Sequence, residues 1–284
     1  MHMEPLFYFF IFLFGAIIGS FLNVVLYRHN TTMTLMGRSF CFSCNKQLTW
    51  KELFPIASFI ALRGKCRFCK SKIDNQYVMV EGVMGLLSVL LFWKLGGLAT
   101  FSEKVFSVTG ADWTWIFSSS LLFVVFSLLL VIVVYDLKHK IIPDNFSYAF
   151  ASLSLLKMLF FPTTFPFTLT LWDLFAGLIL ASPFALLWVI SQGRWMGLGD
   201  AKLALGIGWF LGLKAGFVSI VLAFWIGAAF GLSLIAINKL QKTSFFKHHV
   251  TMKSEIPFAP FLILGLLLVY FVPQIMTFFS TLFF

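Results

Sequence analysis

Long apolar segments recur along the whole chain and constrain its fold more than any other feature. A transmembrane helix needs about 20 apolar residues, and eight segments approach that length: 6–27, 77–98, 115–135, 146–161, 171–190, 202–213, 216–237 and 256–279. Only 11% of the residues are charged, against about 25% in a typical soluble domain. The sequence therefore predicts an all-α, polytopic transmembrane helical bundle of about eight spans. The short, glycine-containing sixth segment could also be a half-span or part of a broken helix.

The basic residues predict how the chain is oriented in the membrane. The net charge is +10, and Lys and Arg concentrate in cytoplasmic loops. Placing loop 28–76 in the cytoplasm puts most of the 21 basic residues inside, namely Arg28, Arg38, Lys46, Lys51, Arg63, Lys65, Arg67, Lys70, Lys72, Lys138, Lys140, Arg194, Lys202, Lys239, Lys242, Lys247 and Lys253. The expected partner of this charge is anionic membrane lipid, and no nucleic acid is needed to explain it.

All four cysteines fall in loop 28–76, as Cys41-Phe-Ser-Cys44 and Cys66-Arg-Phe-Cys69. Two CxxC pairs about 20 residues apart can offer four thiolates to one tetrahedral ion. Disulfides would conflict with the reducing compartment that the topology predicts, and four free thiols would not explain the paired spacing. The loop therefore predicts a zinc knuckle. We expect the zinc to be structural, because four protein ligands leave no open position for catalysis.

Two aspartates next to apolar segments are the candidate catalytic residues. Asp136 follows the apolar run of the third segment, and Asp200 ends Gly197-Leu-Gly-Asp at the start of the sixth. The predicted topology places both at the cytoplasmic face. Two carboxyl groups that share a site cannot both ionise easily, so one stays protonated while the other activates water. The pair predicts aspartic-protease chemistry without a catalytic metal.

Each of these acids also has a structural interpretation. Asp136 could pair with nearby lysines, Asp200 could cap the helix that follows it, and Asp144 fits a cap beside Pro143. For either aspartate alone this interpretation is as good as catalysis. It is their common depth in the membrane that favours a functional site. Lys202 and Glu81 are expected to pair locally.

The ordered motifs resemble those of the type IV prepilin leader peptidases, a family of membrane aspartic proteases with a GxGD motif. The similarity covers nearly the whole length in five blocks, which are Gly19 to Arg28, the two CxxC pairs followed by Tyr77 and Glu81, Asp136 to Asp144, Gly197 to Leu203, and Ile256 to Pro260. Among the departures, Ala259 stands where the family usually has Gly, and Phe42 replaces a frequent Pro. Neither departure removes a catalytic acid or a cysteine.

The resemblance implies a specific activity in the bacterial inner membrane. Such enzymes cut the basic leader from type IV prepilins and pseudopilins at the cytoplasmic face, with aspartates at the positions of Asp136 and Asp200. Members with the four cysteines also methylate the new N-terminus with S-adenosylmethionine. We assign no residues to the methyl donor, since no glycine-rich nucleotide loop is present. The implied division of the chain is a first transmembrane helix at 1–27, a zinc-binding loop at 28–76 and a peptidase core at 77–284.

Two other classes of protein share some of these features. A secondary transporter or ion channel also has acids near membrane segments and broken helices, but no internal repeat is visible in the sequence. A membrane scaffold with a zinc loop and no chemistry would tolerate Asn at both aspartates.

Overall fold

The computed structural model describes residues 3–31, 34, 37–106, 112–161, 171–240 and 257–283, and most of these residues are helical. The helices are α1 (Met3–Arg28), α2 (Ala57–Ala61), α3 (Gln76–Lys94), α4 (Gly97–Val105), α5 (Trp113–His139), α6 (Asp144–Phe160), α7 (Leu171–Ser191), α8 (Leu198–Leu211), α9 (Leu213–Leu240), α10 (Ala259–Phe271) and α11 (Gln274–Phe283). The predicted all-α class is confirmed. Lys242, Lys247, Lys253 and Ile256, which the sequence analysis used, lie outside the described residues.

Five of these helices are long and apolar enough to cross a membrane, namely α1, α3, α5, α7 and the Leu213–Ile237 part of α9. Helices α10 and α11 would make a sixth span if they are taken together, but they meet at a bend of 100°. The predicted segments 146–161 and 202–213 correspond to α6 and α8, which have 17 and 14 residues. At about 1.5 Å per residue both are shorter than a hydrocarbon core of about 30 Å. The count of eight spans is therefore not confirmed.

The chain forms two compact units, Met1–Val131 and Ile132–Phe284, and the boundary falls within α5. The sequence-based division into a first helix (1–27), a zinc-binding loop (28–76) and a peptidase core (77–284) is a division by function. It stays a prediction.

In the first unit, α1 and α3 pack closely through small residues. A Cβ on Gly19 would lie 2.8 Å from the Cα of Glu81, and one on Gly85 would lie 2.7 Å from the Phe12 ring. Small residues at such positions let membrane helices approach closely. Near the loop, the Asn23 amide donates to the Tyr77 carbonyl at 3.2 Å. The loop between α1 and α3 therefore begins and ends close to this hydrogen bond.

In the second unit, α8 lies at the centre, and α6, α7, α9 and α10 all contact it. Nine of its 14 residues are buried. Gly206 accommodates the Phe150 ring of α6, and a Cβ on Gly208 would lie 2.6 Å from the Ala176 carbonyl of α7. By contrast, α7 exposes large apolar side chains such as Leu178, Leu186 and Val189. Such an exposed apolar face fits a lipid environment.

The close contact of α7 and α8 predicts that Gly208→Ala destabilises the protein. The added methyl group would meet backbone, which cannot rotate away, and overpacking of this kind costs about 1–3 kcal/mol. We expect a lower midpoint of thermal unfolding in detergent. Gly82→Ala in α3 is the matched control, because a Cβ there meets no atom within 4 Å. Equal midpoints for the two variants would contradict the packing described for α8.

Candidate active site and metal centre

Asp136 lies in the last turn of α5, where the buried residues Val131 and Ile132 carry the helix through the protein interior. The side chain of Asp136 is itself buried, and only 4% of the residue is exposed. Its Oδ2 accepts a hydrogen bond of 3.2 Å from the backbone N–H of Ala259. Asp136 is thus held by the start of α10 and faces little solvent.

Asp200 lies in the first turn of α8 and is only 8% exposed. Gly197 is the residue that precedes the helix as its N-cap, so the interpretation of Asp200 as the cap was wrong. The Asp200 N–H instead donates to the Gly197 carbonyl at 3.2 Å. Burial, and then the charge of Asp136, raises the pKa of Asp200 to about 7. The two predicted aspartates therefore share one electrostatic environment.

Gly199 explains how the two aspartates come together. A Cβ at Gly199 would lie 2.8 Å from the Cβ of Ile142, in the turn between α5 and α6. Without a side chain at Gly199, this turn can pack directly against the start of α8. The second glycine of the GxGD sequence therefore brings the end of α5, with Asp136, to the first turn of α8.

Ala259 is a site residue that reasoning from chemistry alone missed, because its contribution is a backbone N–H. Pro260 was the sequence feature that could have indicated a helix start at Ala259. Proline is favoured in the first turn of a helix, and Ala259 and Pro260 begin α10. The motif that opens the last predicted span is therefore part of the aspartate site.

Lys202 and Glu81 form contacts with neighbouring groups other than the two aspartates. Lys202 forms an ion pair of 2.6 Å with Asp144 and lies over the Tyr148 ring at 4.9 Å, as expected. Asp144 begins α6 without being its N-cap, which is Pro143, so the prediction of a cap was wrong. Glu81 accepts a hydrogen bond of 2.8 Å from the backbone N–H of Ile56.

The two CxxC pairs fold into knuckles with the same hydrogen-bond pattern. In the first knuckle, the Cys41 N–H donates to Lys46 O at 3.0 Å and the Asn45 N–H donates to Cys41 O at 2.8 Å. In the second, the equivalent bonds run from Cys66 to Ser71 and from Lys70 to Cys66. The equivalent residues Asn45 and Lys70 both have positive φ, at 55° and 60°. The paired spacing thus encodes a repeated local structure.

The four sulfurs lie close enough together to bind a single metal ion. Each lies within 4.8 Å of the others, and those of Cys41 and Cys69 are 3.8 Å apart. Tetrahedral zinc with Zn–S bonds of about 2.3 Å requires sulfurs about 3.8 Å apart. The residues present therefore fit a tetrathiolate metal site.

The thiols alone would not all ionise. Burial opposes ionisation of Cys41, but nearby backbone N–H groups outweigh it and lower its pKa to about 6. The Lys46 amide favours the Cys44 thiolate, but burial and the neighbouring sulfurs outweigh it and raise that pKa to about 11. A bound cation would allow all four cysteines to be thiolates, because coordination deprotonates thiols outright.

Two protein-family models match the chain. The bacterial peptidase A24 N-terminal domain matches residues 13–95, which contain all four cysteines, and the type IV leader peptidase family matches residues 123–232, which contain both aspartates. Together they cover about two thirds of the chain. No solved structure matches the chain significantly.

Several relatives named prepilin leader peptidase/N-methyltransferase align with most of the chain. The protein from Bacillus subtilis (strain 168) is 29% identical over 92% of this chain and 92% of its own length. That from Aeromonas salmonicida (strain A449) is 28% identical over 92% and 89%, and that from Stutzerimonas stutzeri is 27% identical over 87% and 84%. Since the matched regions hold both the cysteine cluster and the buried aspartates, the chain belongs to the type IV leader peptidase family.

Proposed function

We propose that this chain is a membrane aspartic endopeptidase that removes the basic leader from type IV prepilins and pseudopilins, and that it also methylates the new N-terminus. The observation that carries the proposal is the buried pair of Asp136 and Asp200, which lies within the region similar to the type IV leader peptidase family. The relatives' names supply the two activities.

The geometry supports hydrolysis by the two carboxyl groups. Because burial, and then the charge of Asp136, disfavours ionisation of Asp200, the pair holds one proton between them. The protonated carboxyl donates to the scissile carbonyl, and the ionised one takes a proton from water as the water oxygen bonds to the carbonyl carbon. The C–N bond then breaks, and the leaving amine takes up a proton from the pair. The Ala259 N–H orients Asp136 throughout.

The proposed substrate fits a site at the membrane surface. A prepilin has a basic leader on the cytoplasmic side and an apolar helix in the bilayer, so the bond to be cut lies at the interface. We place Asp136 and Asp200 at this interface, on the cytoplasmic side of a bacterial inner membrane. The 28–76 loop would lie in the cytoplasm. An eight-span topology belongs to this proposal. Prepilins, pseudopilins and membrane lipid are the partners.

We further propose that the cysteine cluster holds a structural zinc ion. In its described residues, the loop between α1 and α3 contains one five-residue helix, one 3-10 turn and two isolated bridges. So little regular structure needs another source of stability. Cys41, Cys44, Cys66 and Cys69 would all be ligands. S-adenosylmethionine is the proposed methyl donor, and when bound it supplies the methyl group. No observation favours the transporter or ion-channel alternative.

We expect both Asp136→Asn and Asp200→Asn to abolish cleavage of a purified prepilin by the solubilised protein, with losses of at least about a thousandfold, because the pair acts as a unit. The measurement is the appearance of the shortened pilin by mass spectrometry. Asp112→Asn is the matched control, since Asp112 belongs to the first unit and pairs there with Lys104 at 3.2 Å. Cleavage by either folded aspartate variant at the wild-type rate would exclude the mechanism.

The raised pKa of Asp200 predicts a loss of activity at alkaline pH. Its pKa is about 7, so the shared proton is present below that value and is lost as the pH rises through it. With both groups ionised, nothing polarises the scissile carbonyl. We expect kcat/KM to fall on the alkaline side with an apparent pKa near 7, measured from about pH 5 to about pH 9. A profile that stays flat across this range would contradict the shared proton.

Metal analysis of the purified protein should find about one zinc ion per chain. Cys44→Ser and Cys69→Ser each remove a ligand, so zinc content should fall towards zero and the midpoint of thermal unfolding should drop. Ser43→Ala, between the first two cysteines, is the matched control and should retain zinc. A structural metal would be ruled out if wild-type protein stripped of metal unfolded at the same midpoint temperature as untreated wild-type protein.

A further inference from the structure

The first unit encloses a cavity that the peptidase mechanism does not use. Its volume is about 310 Å³, and its walls come from α1, α3 and both cysteine knuckles, with Asn23, Tyr27, Glu52, Tyr77 and Glu81 among the lining residues. All of its lining residues belong to Met1–Val131. Sites for small molecules occupy about 300–1,000 Å³, so the cavity has the size of a binding site.

Two residues that line this cavity carry side-chain polar atoms without hydrogen-bond partners. Only three buried side-chain polar atoms in the described part of the chain have none, and two of them, Asn23 Oδ1 and Glu52 Oε1, belong to residues of the cavity wall. Asn23 is fully buried, and the Glu52 side chain is 5% exposed. Glu52 has Arg67 as an ion-pair partner at 3.6 Å, beyond hydrogen-bond distance. Both atoms are acceptors, so the missing partner must carry N–H or O–H groups.

Aromatic rings and charges in the same wall narrow the class of partner. The Tyr27 and Tyr77 rings stack at 5.0 Å, and the Phe42 ring lies 5.6 Å from Tyr27. Such faces suit a planar base and a cationic centre. The acidic groups of the wall are Glu52, Asp74 and Glu81, and the basic ones are Arg28, Arg67 and Lys72. The fitting ligand is a zwitterion with an aromatic base, hydroxyl or amino donors and a positive centre.

We propose that this cavity binds S-adenosylmethionine, an inference that rests on the methyltransferase part of the proposed function. Asn23 Oδ1 and Glu52 Oε1 accept from its hydroxyl or amino groups, and the aromatic residues contact its base and sulfonium. The basic residues offer partners to its carboxylate.

The test is equilibrium binding of S-adenosylhomocysteine, which cannot transfer a methyl group, to full-length protein in detergent. We expect one molecule per chain for wild type. Glu52→Gln should raise Kd roughly ten- to a hundredfold, the range for losing a hydrogen bond to a charged group. The glutamine keeps an oxygen that can accept from the Thr49 N–H, which lies 2.6 Å from the carboxylate. Val24→Trp, which fills the cavity from α1, should abolish binding.

Glu103→Gln is the matched control, since Glu103 is exposed on α4 and should leave Kd unchanged. Retained zinc and retained cleavage of a prepilin establish that each variant is folded. Wild-type affinity in both Glu52→Gln and Val24→Trp, or no binding by wild type, overturns the proposal. So does a raised KM for prepilin in Glu52→Gln with unchanged Kd, because the cavity would then receive the leader. A wild type that binds but never cleaves prepilin would refute only the proposed peptidase.

Discussion

Burying two carboxyl groups that interact electrostatically is the constraint that organises the second unit. Burying an isolated carboxylate is strongly unfavourable, so each group needs compensation. Asp136 receives the Ala259 N–H, while Asp200 lies in the first turn of α8, where the helix dipole favours negative charge. Burial, and then the repulsion that remains, raises the pKa of Asp200 to about 7. Three helix ends must therefore meet at one point, and Gly199 makes that approach possible.

The candidate site residues could be singled out in the sequence because each contrasts with its surroundings. Asp136 and Asp200 are acids beside apolar runs, and the CxxC spacing has few explanations other than a metal site. The backbone N–H of Ala259 carries no such contrast, so its role in the site appears only in the structure. The same holds for the matched hydrogen bonds of the two knuckles, since Asn45 and Lys70 share a conformation but no chemical property.

The number of spans was less predictable than the helices themselves. Hydropathy records only that a segment avoids water, and both lipid and a protein interior meet that requirement. The apolar side chains of α7 remain exposed, as they would in lipid. Most of α8 is instead buried by its neighbours, although its apolar residues also suggested a span.

The location of the cavity gives a physical reason why the cysteines and methylation should occur together. Cys41 and Cys66 lie in the cavity wall, and so do Ser39, Phe42 and Ser71 from the knuckles. A metal that fixes the four sulfurs would therefore also fix part of the wall of the proposed methyl-donor site. The resemblance implies that the family's cysteine-bearing members are the ones that methylate. On the proposed function, a bound metal would serve methylation by shaping this pocket, whereas the aspartates depend on helix ends in the second unit.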